Sequence, residues 1–369
     1  MPMTICAACN RHHAQDDKMS SSTLGDSGVQ LPLSTDPPGP HNPPQKAVWL
    51  IFGATGHIGR SLVKAALLHG DQVAAVGQTL EDSYESMQRL QAENESCLGL
   101  LCDVRARQTV QDVIEKTMGH FGRIDIIANC AGYGVIGACE DQDDFDIRNQ
   151  FETNFMGTLN IIQLSLPYFR HRGGGRYIIF SSVSGTLGVP GMGPYCASKY
   201  AVEGLMESMH YEVDRFNIKG TLVEPGHIRR DDVRDPQTSS TTGDAAAMKP
   251  LPSYGHFLIK PISEPYRTST SPAGHARRML QWLGDKQPVS AVKAAELVWQ
   301  LGHCSFPPLR LLLGSYAVKS IRDRSKCILE EIEDWKHLSF PVSDPVATRD
   351  PNPEDKSEES GGEPSTTPG

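Results

Sequence analysis

The stretch that decides the fold is Ala47-Val-Trp-Leu-Ile-Phe52-Gly53-Ala-Thr-Gly56-His-Ile-Gly59-Arg60. Residues 47–52 form a short continuous apolar run, which is typical of a strand buried on both faces of a sheet. A glycine-rich turn follows, and apolar residues then recur with helical spacing over residues 58–69. Such a turn lets the backbone approach a pyrophosphate, which the N-terminus of the next helix stabilises. Alone, the glycine trio is weak evidence, because an ordinary strand-to-helix turn has the same composition.

Strand and helix patterns alternate along the rest of the chain. Repeated β-α-β units predict an α/β fold with a Rossmann-like doubly wound parallel sheet, helices on both faces and right-handed crossovers. Pro167 is expected to bend or close its helix. Further strands are predicted at residues 72–77, 97–102, 124–128, 176–181, 218–223 and 309–313, and further helices at 106–121, 143–170, 195–216, 274–283, 290–302 and 315–335.

Composition divides the chain into a single domain, residues 46–335, between two polar ends. Residues 1–45 and the acidic tail 343–369 are rich in Pro, Ser and Gly and are predicted to be disordered. Residues 231–272 form a long unpatterned insertion in the domain, which predicts a substrate loop. With 35 Lys and Arg against 44 Asp and Glu, the net charge of −9 argues against a nucleic-acid partner.

The nine cysteines are irregularly spaced, and neither a secretory signal nor an apolar run of ~20 residues is visible. These features predict a reduced, soluble, cytoplasmic protein without a membrane span. Cys6, Cys9, His12 and His13 could ligate a metal. A tetrahedral site needs four ligands held at once, so this tight spacing in a polar tail favours no metal.

Tyr195 and Lys199 lie four residues apart on a predicted helix, so both side chains share one face. A free tyrosine with a pKa of ~10 is a poor acid or base at neutral pH. A neighbouring ammonium lowers that pKa, and the pair can then exchange a proton with a substrate oxygen. Alone, this spacing is equally compatible with a solvated helix face.

Two further polar residues suit the same chemistry. Ser182 ends a predicted strand, and its hydroxyl can donate to a substrate oxygen. Asn154 lies in a predicted helix and can hold a water against the lysine. The alternatives are a turn serine and a buried helix asparagine.

With these residues in place, residues 46–335 resemble the short-chain dehydrogenase/reductase family, in its Tyr-x-x-x-Lys branch and closest to the hydroxysteroid- and retinol-dehydrogenase-like members. In that family the tyrosine is the acid-base, the lysine holds the nicotinamide ribose, the serine orients the carbonyl and the asparagine supports a proton relay. The resemblance rests on Asp103-Val104, Asn129-Cys-Ala-Gly132, Asn154, Ser182, Tyr195, Lys199, Pro225-Gly226 and the run from Pro307 to Gly314.

The resemblance implies a nicotinamide dinucleotide cofactor, although the glycine turn departs from the family's Thr-Gly-x-x-x-Gly-x-Gly. Phe52 replaces the threonine and His57 the middle glycine, and Arg230 replaces the threonine of Pro-Gly-x-x-x-Thr. Arg230 could pair with the pyrophosphate or lie on the surface. The implied cofactor-binding residues are Gly53, Thr55, Gly56, His57, Ile58, Gly59, Asp103, Val104, Asn129, Ala131, Gly132, Tyr195, Lys199, Pro225, Gly226, Ile228 and Arg230.

The end of the second strand reads Gly77-Gln78-Thr79, with neither the aspartate that selects NAD nor the arginine that favours NADP. Because no acid repels a 2′-phosphate, NADP is favoured, with NAD left open. The apolar residues Phe257, Leu258 and Ile259, with Leu251 and Tyr254, indicate a lipophilic substrate or simply dock the loop.

These features predict an NAD(P)-dependent oxidoreductase that interconverts an alcohol and a ketone or aldehyde. The main alternative is a nucleotide-sensing or scaffold protein that keeps the fold without turnover. A nucleotide-sugar epimerase or dehydratase is a weaker reading, because the large C-terminal substrate domain is missing. By resemblance a homo-oligomer is also expected, with Leu205, Met206 and Met209 on the outer face of the helix at 195–216.

Overall fold

A computed structural model describes residues 37–79, 81–229, 253–254, 256–268, 270–276, 278 and 289–339. The chain divides into two compact units, Met1–Arg324 and Ser325–Gly369. The first unit contains the sheet and the helices that cover it. In the second unit, residues 325–339 are helical.

Twelve strands and eight α-helices are described. The strands are β1 Val48–Phe52, β2 Gln72–Gly77, β3 Cys97–Leu101, β4 Ile126–Asn129, β5 Gly134–Ile136, β6 Gly175–Phe180, β7 Ile218–Pro225, β8 Ile228–Arg229, β9 Ser253–Tyr254, β10 Phe257–Ile259, β11 Val289–Ser290 and β12 Arg310–Leu313. The helices are α1 His57–Leu68, α2 Glu81–Glu93, α3 Arg107–Phe121, α4 Asp144–Phe151, α5 Gly157–Arg172, α6 Gly193–Val213, α7 Ala291–Gly302 and α8 Ser315–Ser339.

The main sheet has seven parallel strands in the order β12-β7-β6-β4-β1-β2-β3. Every residue of β1 is buried, as its continuous apolar run predicts. The strand order reverses between β1 and β4, and ligands of open α/β sheets bind beyond the carboxyl ends of the strands at such a switch point. The predicted Rossmann-like fold is therefore confirmed.

Apolar side chains fill both faces of this sheet. One face packs Leu62 of α1 and Val298 of α7, and the other packs Ile114 of α3 and Ile161 of α5. Met206 and Met209 of α6 belong to the second core, with exposed fractions of 0% and 3%. Placing them on an outer face was wrong, because the helical period turns these two positions toward the sheet.

The helix predicted at residues 143–170 is divided into three parts. A capping box at Asp143 begins α4, a π-helical turn covers Glu152–Met156, and α5 continues to Arg172. Pro167 lies inside α5 and does not close it, and the alternative that it bends the helix stays a prediction. Gly173 ends the helix in the left-handed conformation.

Part of the insertion at 231–272 is regular rather than unpatterned. Phe257–Ile259 of β10 pair in parallel with Gly134–Ile136 of β5 and antiparallel with β9. An apolar run of β-forming residues suits a strand, but its partner lies more than a hundred positions away in the chain. Several predictions fall outside the described residues: Cys6, Cys9, His12, His13, Arg230, Leu251, most of the insertion, part of the helix at 274–283 and the tail 343–369.

Among the described helices, none is long and apolar enough to cross a membrane. The described residues also contain no cluster of three or more His, Cys, Asp or Glu side chains arranged to hold a metal ion.

Candidate active site

A cavity opens where β1, β4, β6 and β7 end, and the structure brings most of the predicted site residues to it. Its walls also include residues from β5, β10 and the start of α8. The predicted residues that line it are Gly56, His57, Ile58, Gly59, Ala131, Gly132, Ser182, Tyr195, Lys199, Pro225, Gly226 and Ile228.

The glycine turn between β1 and α1 is tightly packed at two of its three glycines. Gly53 has a φ of +77°, and a Cβ there would lie 2.7 Å from the Ala131 nitrogen. A Cβ on Gly59 would collide with the Gly53 carbonyl, whereas one on Gly56 would be 3.3 Å from the same oxygen. His57 begins α1. The turn thus requires glycine at Gly53 and Gly59, the first and third glycine positions of the ungapped family pattern. It accommodates the side chain of His57 at the middle position.

Tyr195, Ser182 and Lys199 meet on one side of the cavity. The Ser182 side chain acts on the Tyr195 phenol and lowers its pKa, and all three residues line the cavity. The Lys199 Nζ lies 5.8 Å from the centre of the Tyr195 ring and donates to the Phe180 carbonyl at 2.9 Å. Local structure sets the positions of these three side chains. Ser182 comes just after β6, and Tyr195 and Lys199 lie one turn apart on α6.

Burial dominates the protonation of Tyr195. Desolvation holds the pKa of Tyr195 above its ordinary value, and the nearby Ser182 side chain acts in the opposite direction. The lowering expected from Lys199 is therefore not the leading effect in this structure. At neutral pH the phenol keeps its proton, so it is poised as an acid.

Lys199 is a buried cation whose pKa falls to about 8, chiefly through desolvation, while the nearby Glu203 carboxylate raises it. Since the unfolded lysine titrates near 10.5, the unfolded state binds more protons between these two values. Stability therefore rises with pH across that window, and below it the buried ammonium destabilises the fold.

We expect Lys199→Met to stabilise the fold at pH 7 while removing turnover. The lowered pKa of Lys199 corresponds to a destabilisation of about 3 kcal/mol, which the substitution removes. Loss of the hydrogen bond to Phe180 offsets about 1–2 kcal/mol of that gain. Urea unfolding at pH 7 and pH 10 measures the gain, which should shrink at the higher pH. Lys64→Met, on an exposed lysine of α1, is the control and should change neither quantity. A destabilised Lys199→Met at pH 7 would contradict this account.

Asn154 occupies the π-helical turn, a feature that often marks functional sites. Its side chain binds the Tyr133 backbone through both atoms: Tyr133 N donates to Oδ1 at 3.0 Å and Nδ2 donates to Tyr133 O at 2.9 Å. Nδ2 also donates to the Ser198 hydroxyl at 2.9 Å. A Cβ at Gly132 would lie 2.9 Å from Asn154 Oδ1 and 3.5 Å from Lys199 Nζ, so these groups border the same narrow space.

Other predicted residues support the cavity without lining it. Asn129 accepts from Ala131 N at 3.0 Å and donates to Thr158, which shapes the loop after β4. Asp103 pairs with Arg105, and Val104 is buried against Gly157. Gly53 and Thr55 are likewise absent from the cavity wall.

Two histidines at the cavity escaped sequence reasoning. The buried Nε2 of His227 has no hydrogen-bond partner in the described part of the chain, and burial lowers the pKa of His227, so its ring is neutral. His256 lies 6.3 Å from the Tyr195 ring and stacks on His57 at 6.4 Å. His227 directly follows Pro225-Gly226 and could have been found, whereas His256 arrives only through the pairing of β10 with β5.

A buried ionic cluster behind α6 was also missed. Arg310 of β12 donates to Glu203, Glu207 and Glu224, and Ser181 donates to Glu203 at 2.6 Å. Burial, followed by repulsion from Glu203, raises the pKa of Glu224 to about 7. The sequence offered one signal for this cluster: Glu203 lies four residues after Lys199 on α6, so the two side chains share one face of the helix.

These features define a Rossmann-type oxidoreductase with its site at the strand ends. The family described as short chain dehydrogenase matches residues 47–240. The oxidoreductase BOA17 of Botryotinia fuckeliana is 30% identical over 293 residues, which cover 79% of this chain and 98% of the relative. The chain therefore belongs to the short-chain dehydrogenase family, an NAD(P)-binding family of oxidoreductases.

Solved structures share this fold. A short-chain dehydrogenase from Streptomyces avermitilis superposes with a TM-score of 0.67 at 28% identity, covering 79% of this chain and 98% of that one. A family member from Burkholderia phymatum in complex with NAD has a TM-score of 0.61 at 19% identity, covering 82% and 98%. The hydroxysteroid- and retinol-dehydrogenase-like branch stays a prediction.

Proposed function

We propose that the protein interconverts an alcohol and a ketone or aldehyde with NADP(H), with Tyr195 as the acid-base. The observation that carries the proposal is that Ser182, the buried Tyr195 phenol and the buried ammonium of Lys199 line one cavity. A sensor or scaffold has no need of a buried proton donor in the wall of this cavity.

The residues of the chain can supply every proton that the reaction needs. The nicotinamide supplies or removes the hydride. In the reducing direction Ser182 donates a hydrogen bond to the carbonyl oxygen, and Tyr195 transfers its proton to that oxygen as negative charge develops. The ammonium of Lys199 stabilises the phenolate that remains. In the oxidising direction the phenolate takes the alcohol proton, and Asn154 supports the relay that exchanges it.

The cavity suits a dinucleotide on steric grounds. Gly53 and Gly59 keep the turn close to the backbone of α1, whose N-terminus would present backbone N–H groups to a pyrophosphate. The unpartnered Nε2 of His227 offers a further hydrogen-bond site on the nicotinamide side. We assign cofactor contacts to the lining residues of the glycine turn, Ala131-Gly132, Pro225-Gly226 and Ile228, together with Lys199 and Tyr195.

The preference for NADP rests on the end of β2. Gln78 and Thr79 are both exposed there, and neither presents a carboxylate that would repel a 2′-phosphate. Competition between NADPH and NADH in one titration tests the preference directly.

The substrate is proposed to be lipophilic. Beyond the catalytic groups, the cavity wall is formed by apolar side chains from the loop before α6, β5 and β10, among them Ile136, Val189, Met192 and Phe257. The Phe257 ring contacts the Tyr195 ring edge to face at 5.2 Å. A substrate carbonyl beside Tyr195 would therefore have its carbon chain against Phe257.

We expect Phe257→Ala to raise the KM for a lipophilic ketone about tenfold or more, with the Kd for NADPH unchanged, since the ring lies on the substrate side. Leu258→Ala is the matched control, because Leu258 is the neighbour on β10 and does not line the cavity. Steady-state kinetics and a cofactor titration measure both quantities. Equal kinetics in the two variants would show that β10 takes no part in recognition, and loss of NADPH binding would show that it supports the cofactor instead.

The proposed activity is tested by NADPH oxidation with a panel of lipophilic ketones and aldehydes, and by NADP reduction with the corresponding alcohols. Turnover that depends on Tyr195 supports the proposal. Tight NADPH binding without oxidation of any substrate would favour the sensing or scaffold function.

A further inference from the structure

A second cavity lies at the opposite edge of the main sheet from the candidate active site. It opens where β1, β4, β6 and β7 begin, beside the end of α7, and its volume is about 510 Å³. This size falls within the range of roughly 300–1,000 Å³ that is usual for small-molecule sites. Every residue of its wall belongs to the first compact unit. It is here called the amino-end cavity.

The wall of the amino-end cavity is basic, although the whole chain carries a net charge of −9. It contains one carboxylate, that of Asp125, and the ring of His303, whose Nε2 lies 2.9 Å from the buried carboxylate of Asp71. The five cations of the wall are Lys46, Arg123, Arg172, Arg176 and Lys219. Five cations against one acid leave a local excess of four positive charges. Such a concentration of positive charge favours an anionic ligand.

The single acid of this wall is shared by two of the arginines. Asp125 pairs with Arg123 at 2.9 Å through one carboxylate oxygen and with Arg172 through the other. The other three cations have no carboxylate partner in the described part of the chain: Lys46, Arg176 and Lys219. Asp125 therefore does not balance the charge of the wall.

Arg176 and Lys219 place two of these cations side by side. They are paired residues of the adjacent strands β6 and β7, so their side chains leave the sheet on the same face. Both residues are half-buried, and burial lowers the pKa of Arg176. Like charges at directly opposite strand positions destabilise a sheet.

The end of α7 explains only part of this arrangement. Arg176 Nη1 donates to the Gly302 carbonyl at 2.6 Å and to the Leu301 carbonyl at 3.2 Å, and so caps the helix. The Lys219 ammonium has no hydrogen-bond partner among the described residues. An anion between Lys219 and Arg176 would replace their repulsion by attraction, because each cation would then face an opposite charge.

We propose that the amino-end cavity binds a small polyanion that carries phosphate groups. A single phosphate has a charge of about −1.5 to −2 at neutral pH, whereas the wall has an excess of four positive charges, so a pyrophosphate or bisphosphate matches the wall better. The arginine guanidinium groups would each hold two phosphate oxygens, and the lysines would contact the phosphates as point charges. This site is independent of the proposed oxidoreductase activity.

The test is isothermal titration calorimetry of the full chain with inorganic pyrophosphate in magnesium-free buffer. Because the length of β1, about 16 Å, separates the cavity from the glycine turn, the same Kd is expected with and without saturating NADPH. Orthophosphate at equal ionic strength should bind more weakly. Absence of saturable binding would overturn the inference. Displacement of pyrophosphate by NADPH would also overturn it, since the anion would then lie at the glycine turn.

Substitutions locate the bound anion. Lys219→Gln should weaken pyrophosphate binding about tenfold or more, the cost of one lost charge-assisted hydrogen bond. Pyrophosphate should raise the Tm of the wild type more than that of Lys219→Gln, and the circular dichroism of the variant should be unchanged. Lys116→Gln, at an exposed lysine of α3 outside the cavity, is the matched control. Equal pyrophosphate affinity in the two variants would contradict the assignment.

Discussion

Tyr195→Phe is expected to lower turnover by about 10²–10⁴-fold, the usual range for a positioned acid-base group, without unfolding the protein. The phenylalanine ring fills the same buried space against Phe257 and Met192, and only the hydroxyl beside Ser182 is lost. Single-turnover kinetics with NADPH and a ketone measures the effect, and a cofactor titration shows that the site still assembles.

Tyr177→Phe is the matched control for this prediction. Tyr177 is also buried, and its hydroxyl lies 2.7 Å from Ser165 Oγ; neither residue lines the cavity. Losing that hydroxyl should lower stability slightly and leave turnover unchanged. If Tyr195→Phe retained the activity of Tyr177→Phe, the assignment of Tyr195 as acid-base would be wrong.

Arg310→Met is expected to destabilise the fold by about 3–5 kcal/mol, the cost of removing one partner from a buried ionic group. Glu203 and Glu224 have side chains exposed by only 5% and 0%, and Arg310 is the cation that both carboxylates contact. Methionine fills part of the space but leaves two acids close together without the cation that contacts both of them. Urea unfolding measures the loss.

The pH dependence distinguishes this electrostatic cause from a loss of packing. Glu224 has a folded pKa of about 7, above its ordinary 4.5, so the native state binds more protons than the unfolded state between these values. Stability from this group therefore falls as pH rises through that window. Without Arg310, the free energy of unfolding should fall more strongly as pH rises. Compared with the wild type, Arg310→Met should therefore lose more stability at pH 8 than at pH 5.

Two further variants complete this experiment. Glu224→Gln in the Arg310→Met background should recover stability at pH 8, because it removes one of the two uncompensated charges. Arg148→Met breaks the exposed Arg148–Asp144 pair, whose side chains are 75% and 78% exposed, and should change stability by less than about 1 kcal/mol. An Arg310→Met penalty that is equal at both pH values would assign the loss to packing.

Local patterns predicted the sheet and much of the site because both depend on residues near one another in the chain. The apolar run Val48–Phe52 required burial on both faces, and the β-α-β alternation then placed the strand ends at one edge. Ser182, Tyr195 and Lys199 could be proposed because a strand end and one helical turn position them. Their catalytic roles, and the cofactor contacts, stay predictions.

The amino-acid sequence by itself determined the fold, the family and the principal candidates for the chemistry, since helical and strand periods act over a few residues. Only the tertiary structure decided what depends on distant pairing. It placed β10 beside β5 and so brought Phe257 and His256 to Tyr195. It joined Arg310 to Glu203 and Glu224 and turned Met206 and Met209 into the core. It also made burial, rather than Lys199, the leading influence on the pKa of Tyr195, because desolvation depends on all the elements that surround a side chain and not on its neighbours in the chain.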